Sequence, residues 1–338
     1  MNLFPLLNKA VQNSLSETDA RDAALALMTG EVAPAQVGGL LTALRVRGET
    51  FAEILGFARA LREKAAPFPL EGDGLIDTCG TGGDGLGTWN VSTLAGIVAA
   101  ASGARVAKHG NRAVSSRCGS ADLLEALGVK IDGPPALAAR SIDETGFGFL
   151  FAPHYHQTLR HLAPIRRELG FRSIFNLVGP LANPAQVRLQ VVGVPSLAYL
   201  RPVAQALLAL GAVRALVVHG SDGGDEITLT GSTSTMEVRE GGLHEGAISP
   251  EDAGLPACRP EDVAGGDAET NADIAIRILN GERGPAHDFV IINAAAALMV
   301  AGKATSLREG AEMARDALLS LRARAVLDAL RRLSTEGA

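Results

Sequence analysis

A glycine-rich loop over residues 77–84, with the sequence Asp-Thr-Cys-Gly-Thr-Gly-Gly-Asp, most constrains what this 338-residue chain can fold into. It follows an apolar run at Leu75-Ile76 that predicts the end of a strand. It precedes residues 90–95, which predict the start of a helix. Glycines allow positive φ and let backbone N–H groups approach an anion, and a helix N-terminus adds unpaired donors. Taken alone, the loop fits either a phosphate site or a plain glycine-rich turn.

The loop matches neither of the two common phosphate motifs. It lacks the Gly-Lys-Ser/Thr of a P-loop, and its glycines do not follow the Gly-x-Gly-x-x-Gly spacing. Asp84 would repel bound phosphates unless a metal ion or ligand hydroxyls compensated for its charge. The loop therefore predicts a ligand that carries phosphate and a ribose, together with a divalent cation. Cys79 is interpreted as a small residue in a tight space, with a nucleophile as the alternative.

Composition excludes several classes of function. Aromatic residues make up only 4%, which argues against surfaces that stack bases or sugars, and a net charge of −6 gives no global basic field for nucleic acid. Three scattered cysteines show neither zinc spacing nor a disulfide framework, which predicts a reducing, cytoplasmic setting. We see no signal-peptide pattern and no apolar run near the roughly 20 residues of a membrane span, so no membrane association is expected.

The order of predicted elements indicates an α/β protein with a helical N-terminal part. Residues 1–66 read as three or four helices, with capping boxes at Ser16–Asp19 and Thr50–Glu53. From Gly74 onward strands and helices alternate, which predicts a mostly parallel sheet covered by helices, with ligand loops at the carboxyl ends of the strands. The predicted strands cover residues 75–77, 105–107, 147–151, 189–194 and 215–219, and the later helices cover residues 92–102, 120–127, 268–280 and 288–301, with another starting at 306.

Four further polar segments accompany the glycine loop. Residues 108–112 (Lys-His-Gly-Asn-Arg) combine cations with an amide and an imidazole, and residues 115–122 are rich in hydroxyls ahead of a helix. The adjacent carboxylates Asp225-Glu226 in a Gly-rich turn suit Mg²⁺, or form an exposed acidic turn. Arginines 166, 167 and 172 precede an apolar run and offer a bidentate partner to a small aromatic carboxylate. Separately, each segment also fits a solvated loop or a helix cap.

Together and in this order, the segments resemble the motif set of the anthranilate phosphoribosyltransferase family over roughly residues 5–330. The matching stretches are 77–84, 108–112, 119–122, 175–184 and 225–226. The resemblance implies transfer of the phosphoribosyl group of 5-phosphoribosyl 1-pyrophosphate (PRPP) to the amine of anthranilate, with release of pyrophosphate, in tryptophan biosynthesis. It implies a small helical domain over 1–69 with a segment over 168–187, and a larger α/β domain over 73–167 and 188–338. It also implies a homodimer through the helical domain.

The resemblance also implies roles for individual residues, with no covalent catalyst and no dedicated acid or base. Two magnesium ions are implied, with Ser92, Asp225 and Glu226 as ligands. The implied anthranilate contacts are Gly80, His109, Asn111, His154, Arg166 and Gly179. The implied PRPP contacts are Gly80, Thr81, Gly82, Gly83, Asp84, Thr88, Asn90, Ser92, Thr93, Lys108, Asn111 and Ser120.

Departures from the family pattern are few, and two other functions compete with it. Trp89 and Gly224 replace the usual Phe and Leu, and residues 157–159 (Gln-Thr-Leu) replace a common Pro-Ala-Met near the acceptor channel. A pyrimidine nucleoside phosphorylase would have no need of the Asp225-Glu226 pair. A non-catalytic, nucleic-acid-binding relative would lose metal ligands and gain a basic groove. The acidic pair and the negative net charge favour the transferase.

Overall fold

The structure, a computed structural model, describes residues 3–82, 85–113 and 117–336. These residues form fifteen α-helices, seven strands and several short 3₁₀ turns. The helices, in chain order, are α1 (Phe4–Gln12), α2 (Glu17–Met28), α3 (Pro34–Arg47), α4 (Phe51–Lys64), α5 (Val91–Ala101), α6 (Ser120–Ala126), α7 (Pro135–Thr145), α8 (Ala152–Tyr155), α9 (Leu162–Leu169), α10 (Ile174–Val178), α11 (Leu200–Ala209), α12 (Ala268–Leu279), α13 (Pro285–Val300), α14 (Leu307–Leu319) and α15 (Arg322–Glu336).

One seven-stranded sheet organises the larger part of the chain, in the order β3-β2-β1-β4-β5-β6-β7. The first five of these strands are parallel, and β6 and β7 add an antiparallel hairpin at one edge. The mostly parallel sheet predicted from the alternation of elements is confirmed, whereas the hairpin was not predicted. The strands are β1 (Leu75–Thr78), β2 (Arg105–Gly110), β3 (Phe147–Phe151), β4 (Leu189–Gly193), β5 (Arg214–Gly220), β6 (Thr233–Arg239) and β7 (Gly242–Ile248).

Both faces of the sheet are covered, and alternate residues of a strand point to opposite faces. In β5, Leu216 and Val218 join the core formed with α5, α12, α13, α14 and α15. Ala215 and Val217 join a second core formed with α1 to α4, α10 and α11. The N-terminal helices therefore bury their apolar faces against later elements of the same chain.

The helical part begins with four helices, at the upper end of the predicted number. Ser16 accepts a hydrogen bond from the Asp19 N–H, and Thr50 and Glu53 form a complete capping box. Helices α2 and α4 pack so closely that a Cβ on Gly56 would lie 2.4 Å from the Glu17 carbonyl oxygen. Helix α10, within the predicted segment 168–187, contacts α3 and α4, and α9, most of which precedes that segment, contacts α3. This packing supports the proposed domain division, whose boundaries stay a prediction.

The C-terminal helices differ from the predicted bounds by a few residues. Helix α13 begins at Pro285, three residues before the predicted start at Asp288, since proline suits the first turn of a helix. Among the described residues, no helix combines the length and apolar character that a membrane crossing requires.

Candidate active site

The acidic turn after β5 meets the glycine loop after β1 at the carboxyl edge of the sheet. The backbone N–H of Gly82 donates a hydrogen bond to Oδ2 of Asp225 at 2.5 Å, and Asp225 is only 7% exposed. The Thr81 N–H donates to the Gly193 carbonyl at the end of β4, at 3.0 Å. Parallel strands end at one edge, so residues far apart in sequence converge here. The two motifs therefore belong to one site.

Two glycines make this close approach possible. A Cβ on Gly80 would lie 2.5 Å from Oδ2 of Asp225, and a Cβ on Gly193 would lie 1.5 Å from the Asp225 carbonyl oxygen. Real Cβ atoms do not approach other atoms so closely, so a side chain at either position would displace Asp225. Gly82 adds a positive φ of 66°, which glycine adopts at low cost.

Lys108 places a positive charge between the glycine loop and the first turn of α5. The side chain is 2% exposed, and its ammonium donates hydrogen bonds to the Thr78 carbonyl and, at 3.4 Å, to Oγ of Ser92. Helix α5 begins at Val91, so its N-terminal N–H groups lie beside this charge. A buried ammonium, a helix N-terminus and glycine N–H groups together form a binding region for phosphate oxygens.

Asp77 is a fully buried carboxylate that links the neighbouring strands and the loop after α10. Its oxygens accept hydrogen bonds from the His109 N–H at 3.2 Å and from the Asn183 amide at 2.8 Å. Burial raises the pKa of Asp77 to about 6, although Lys108 and these hydrogen bonds oppose the shift. Burial also raises the pKa of the Cys79 thiol, which disfavours a thiolate nucleophile.

A second cation, Arg166 on α9, lies on the other side of the site. Its guanidinium stacks over the Phe175 ring at 5.4 Å and donates a hydrogen bond to Oδ1 of Asn176 at 3.3 Å. Burial lowers its pKa. Among the described residues, no carboxylate forms an ion pair with Arg166, so a carboxylate ligand would satisfy the guanidinium.

His109 is a neutral imidazole with one nitrogen available. Its Nδ1 lies 3.2 Å from the Gly179 carbonyl, which only accepts, so Nδ1 carries the proton. Burial, and secondarily the neighbouring ring of His156, lower the pKa of His109 to about 3. Nε2 is buried and has no hydrogen-bond partner within the described part of the chain. The ring therefore offers an unused acceptor to a ligand N–H.

Comparisons with known proteins agree with this geometry. Residues 72–324 match the α/β domain of a glycosyl transferase family, and residues 6–65 match its helical bundle domain. Anthranilate phosphoribosyltransferase from Rubrobacter xylanophilus is 52% identical over 97% of this chain and 96% of its own length. The chain belongs to the anthranilate phosphoribosyltransferase family. A second relative of that name, from Rhodospirillum rubrum, is 53% identical over 91% of this chain and 89% of its own length.

Solved anthranilate phosphoribosyltransferases share the whole fold. The enzyme from Thermus thermophilus superposes with a TM-score of 0.91 at 48% identity, covering 97% of this chain and 99% of its own. The Saccharomyces cerevisiae enzyme in complex with PRPP and Mg superposes with a TM-score of 0.90 at 27% identity, covering 99% of this chain and 98% of its own. The same yeast enzyme in complex with 4-fluoroanthranilate superposes with a TM-score of 0.89 at 26% identity, with the same coverage of the two chains. The predicted fold class is confirmed.

Many of the residues predicted from the anthranilate phosphoribosyltransferase motifs come together in this structure. The glycine loop, Lys108, Ser92 and Asp225 meet on one side, and Gly179 and His109 contact each other on the other. His154 is partly exposed and packs against Phe151, with its Nε2 3.6 Å from Asp132. Gly83 and Asp84 lie outside the described residues, as do Ser115 and Ser116. The ligand contacts themselves stay predictions.

Other predicted contacts already have partners within the protein. The amide of Asn90 donates to the Cys118 carbonyl at 2.9 Å and accepts from Asn271 at 3.0 Å. The hydroxyl of Ser120 donates to the Asn111 carbonyl at 3.3 Å. Thr88 pairs with Ala264 in an isolated bridge, whereas the hydroxyl of Thr93 is buried and has no hydrogen-bond partner among the described residues. These five residues shape the loops around the site, and binding of PRPP by them stays a prediction.

Two residues of this member of the family make contacts that were not predicted from the sequence. Arg172 donates a hydrogen bond to Oγ1 of Thr81 at 3.1 Å, which links the acceptor-side segment to the glycine loop. Asn183 donates to both Asp77 and the Ala107 carbonyl at 2.8 Å. Both lie within motifs recognised in the sequence, but nothing in the spacing indicates which loop they would contact.

Proposed function

We propose that the chain is an anthranilate phosphoribosyltransferase, a pentosyltransferase that joins the amine of anthranilate to C1 of PRPP and releases pyrophosphate in tryptophan biosynthesis. Full-length relatives at about half identity carry this name. The observation that carries the proposal is the contact between the Gly82 N–H and Asp225, because it joins a phosphate-binding loop to metal-binding carboxylates beside Lys108.

The donor side is proposed to bind PRPP through the loop after β1 and the start of α5. The glycine loop at residues 80–82 and the start of α5 would lie against the pyrophosphate, and Lys108 would balance its charge. Gly83, Asp84, Thr88, Asn90, Thr93, Asn111 and Ser120 would complete the surroundings of the ribose and phosphates. The yeast enzyme has been solved with PRPP and Mg, which supports this donor.

The acceptor side is proposed to bind anthranilate between α9, the loop at Gly179 and the end of β2. Arg166 would clamp the carboxylate, because its guanidinium is half-buried and its described hydrogen bond is to a neutral amide. The free Nε2 of His109 would accept an N–H of the amine. Gly80, Asn111 and His154 would line the route. The complex of the yeast enzyme with 4-fluoroanthranilate supports this ligand class.

The residues present fit magnesium. Asp225 and Glu226 are adjacent carboxylates, one of them buried against a phosphate-binding loop, and Ser92 adds a hydroxyl beside Lys108. Mg²⁺ prefers one or two carboxylates together with phosphate oxygens and water. We propose two ions, one near the Asp225-Glu226 pair and one near Ser92. When bound, magnesium would neutralise the developing charge on the pyrophosphate leaving group.

The reaction depends more on positioning the two substrates than on proton transfer. As the bond from C1 to the pyrophosphate breaks, positive charge develops on the ribose, as in other glycosyl transfers. The aromatic amine is already neutral at pH 7, so no strong base has to create the nucleophile. The chain's tasks are to hold the pyrophosphate, orient the amine and keep His109 neutral. We therefore assign no covalent residue.

We also propose a homodimer through the helical part. Phe4, Val11 and Val46 on α1 and α3 are 55%, 66% and 82% exposed, and large apolar side chains so exposed favour a protein interface. We further propose a cytoplasmic setting, which the small number of cysteines and their scattered positions support.

The test follows the fluorescence of anthranilate on adding PRPP and Mg²⁺, with EDTA as the control. Loss of anthranilate fluorescence that requires both PRPP and magnesium is expected. Phosphorolysis of thymidine with no use of anthranilate would instead indicate the nucleoside phosphorylase, and an unchanged signal with no PRPP binding by calorimetry would overturn the donor site.

A further inference from the structure

Asn293 is a polar residue in the middle of an otherwise apolar, buried stretch of α13. Residues 289–298 of this helix are all buried, and Asn293 is 5% exposed. A buried amide is unfavourable unless it is hydrogen-bonded, and asparagine has a lower helix propensity than its alanine neighbours. Its position therefore requires a specific partner.

That partner is the residue directly after the acidic pair. Oδ1 of Asn293 accepts the Ile227 N–H at 3.1 Å, and Nδ2 donates to the Ile227 carbonyl at 3.0 Å. The second hydrogen of Nδ2 is donated to the Phe289 carbonyl one turn earlier in α13, also at 3.0 Å. The three bonds fix the orientation of the Asn293 amide. Two of them hold the N–H and the carbonyl of Ile227, which is fully buried.

The segment carrying the acidic pair has no regular secondary structure of its own. Between β5 and β6, its internal support comes from Asp222, which accepts bonds from the Gly224 N–H and the hydroxyls of Thr228 and Thr230. These contacts shape the turn. Its attachment to neighbouring elements includes the bond from Gly82 to Asp225, the pair of bonds between Asn293 and Ile227, and the bond from the Cys258 N–H to the Leu229 carbonyl. Of these, the Asn293 pair holds the residue directly after Glu226.

We propose that Asn293 is a positioning residue for magnesium: by clamping Ile227, it sets where Asp225 and Glu226 stand relative to the glycine loop. A side-chain amide supplies both the acceptor and the donor that the N–H and the carbonyl of one residue require. The inference rests on the proposed function for the identity of the cation and its phosphate partner. The clamp itself does not depend on the reaction.

The first test measures hydrogen exchange of residues 221–232 in the ligand-free protein. In Asn293→Ala, which keeps a good helix former in α13, amide exchange in this segment should become about tenfold faster, because the Ile227 N–H loses its acceptor. The matched control is Leu298→Ala, which removes a buried side chain of the same helix but none of the hydrogen bonds to Ile227. Exchange in 221–232 that is unchanged, or no faster than in this control, would overturn the clamp.

The second test measures binding of Mn²⁺ by electron paramagnetic resonance in the presence of pyrophosphate. Asn293→Ala should raise the half-saturating Mn²⁺ concentration about tenfold, while the KM for anthranilate changes less than about twofold. An equal shift in Leu298→Ala would show only general destabilisation and would contradict the proposal. If Asn293→Ala is too unstable, Asn293→Asp keeps the side-chain size and the acceptor for Ile227 and should show the same selective loss.

The two tests separate this inference from the proposed function. If the wild-type chain does not use anthranilate and PRPP, the proposed function fails, yet faster exchange in Asn293→Ala still supports the clamp. If the wild-type chain is active and Asn293→Ala changes neither exchange nor Mn²⁺ binding, the positioning role fails alone.

Discussion

At the scale of single residues, the site contains polar groups that the folded chain itself leaves for a ligand. Arg166 is half-buried with an amide and an aromatic ring as its described partners, and among the described residues His109 keeps a buried Nε2 without a hydrogen-bond partner. A partly desolvated cation and a buried acceptor are costly unless something binds them. An anthranilate-like molecule carries both a carboxylate and an N–H donor, so it would satisfy the two groups together.

Replacing Arg166 by Ala should raise the KM for anthranilate far more than the KM for PRPP. A hydrogen bond to a charged group contributes about 1.5–3 kcal/mol, which corresponds to a rise of about 10- to 100-fold. Steady-state kinetics with each substrate varied in turn would measure both constants. Arg167→Ala, which changes the exposed neighbouring arginine, serves as the control. Equal effects of Arg166→Ala on both substrates would argue against a carboxylate clamp.

His109 gives a prediction for stability against pH. Its pKa is about 3 in the folded chain and near 6.5 when unfolded, so the unfolded state binds the proton more readily. The stability that the neutral ring contributes is present above pH 6.5 and is lost as pH falls. Relative to His109→Asn, which keeps a donor to Gly179, the wild type should lose about 2 kcal/mol between pH 7 and 5. Urea unfolding at both pH values would measure this, and a parallel response of the two proteins would contradict it.

At the scale of elements, the carboxyl ends of β1, β2, β4 and β5 bring together loops from distant parts of the chain. The sequence predicted this gathering, because each polar motif follows a predicted strand. The sequence did not predict the hydrogen bond from Arg172 to Thr81 or those between Asn293 and Ile227, since a side chain's partner across a fold depends on how both elements pack. The β6–β7 hairpin was also missed, because an antiparallel hairpin does not follow from an alternation of parallel strands and helices.

Replacing Gly193 tests whether the close approach of these loops determines the position of the carboxylates proposed to bind the metal. A Cβ at this position would overlap the Asp225 carbonyl oxygen, and relief would have to move the acidic turn. Gly193→Ala should lower kcat by about 10- to 100-fold, because relief of overpacking that costs about 1–3 kcal/mol would misplace Asp225. Gly39→Ala in α3, where a Cβ would make ordinary contact with Leu7, is the control. Activity near that of the wild type in Gly193→Ala would show that Asp225 has no positional role.

At the scale of the whole molecule, one apolar core joins the helical bundle to one face of the sheet. The core contains Leu40, Phe57 and Phe175 together with Val192 and Val217. The sequence indicated a helical part and an α/β part correctly, but the continuity of the core across them depends on tertiary packing that no local pattern encodes. The acceptor-side cation Arg166 lies next to this junction, so the relative placement of the two parts determines the geometry of the site.

The exposed apolar side chains of α1 and α3 give a prediction about assembly. Val46→Glu, at a position that is 82% exposed, should convert a dimer to a monomer without unfolding it, because a charge would be buried at the proposed interface. Analytical ultracentrifugation would measure the mass, and circular dichroism would report the fold. Leu319→Glu, which is also exposed but on α14, should remain dimeric. A wild-type chain that sediments as a monomer would contradict the dimer.

A crystal structure with PRPP and Mn²⁺ would test the central claim most directly, since that claim is that the glycine loop, Lys108 and the acidic pair form one donor site. We expect the pyrophosphate to lie against the loop at residues 80–82 close to Lys108, with an anomalous manganese peak at Asp225 and Glu226. Pyrophosphate bound elsewhere, or manganese absent from the acidic pair while PRPP is present, would contradict the account.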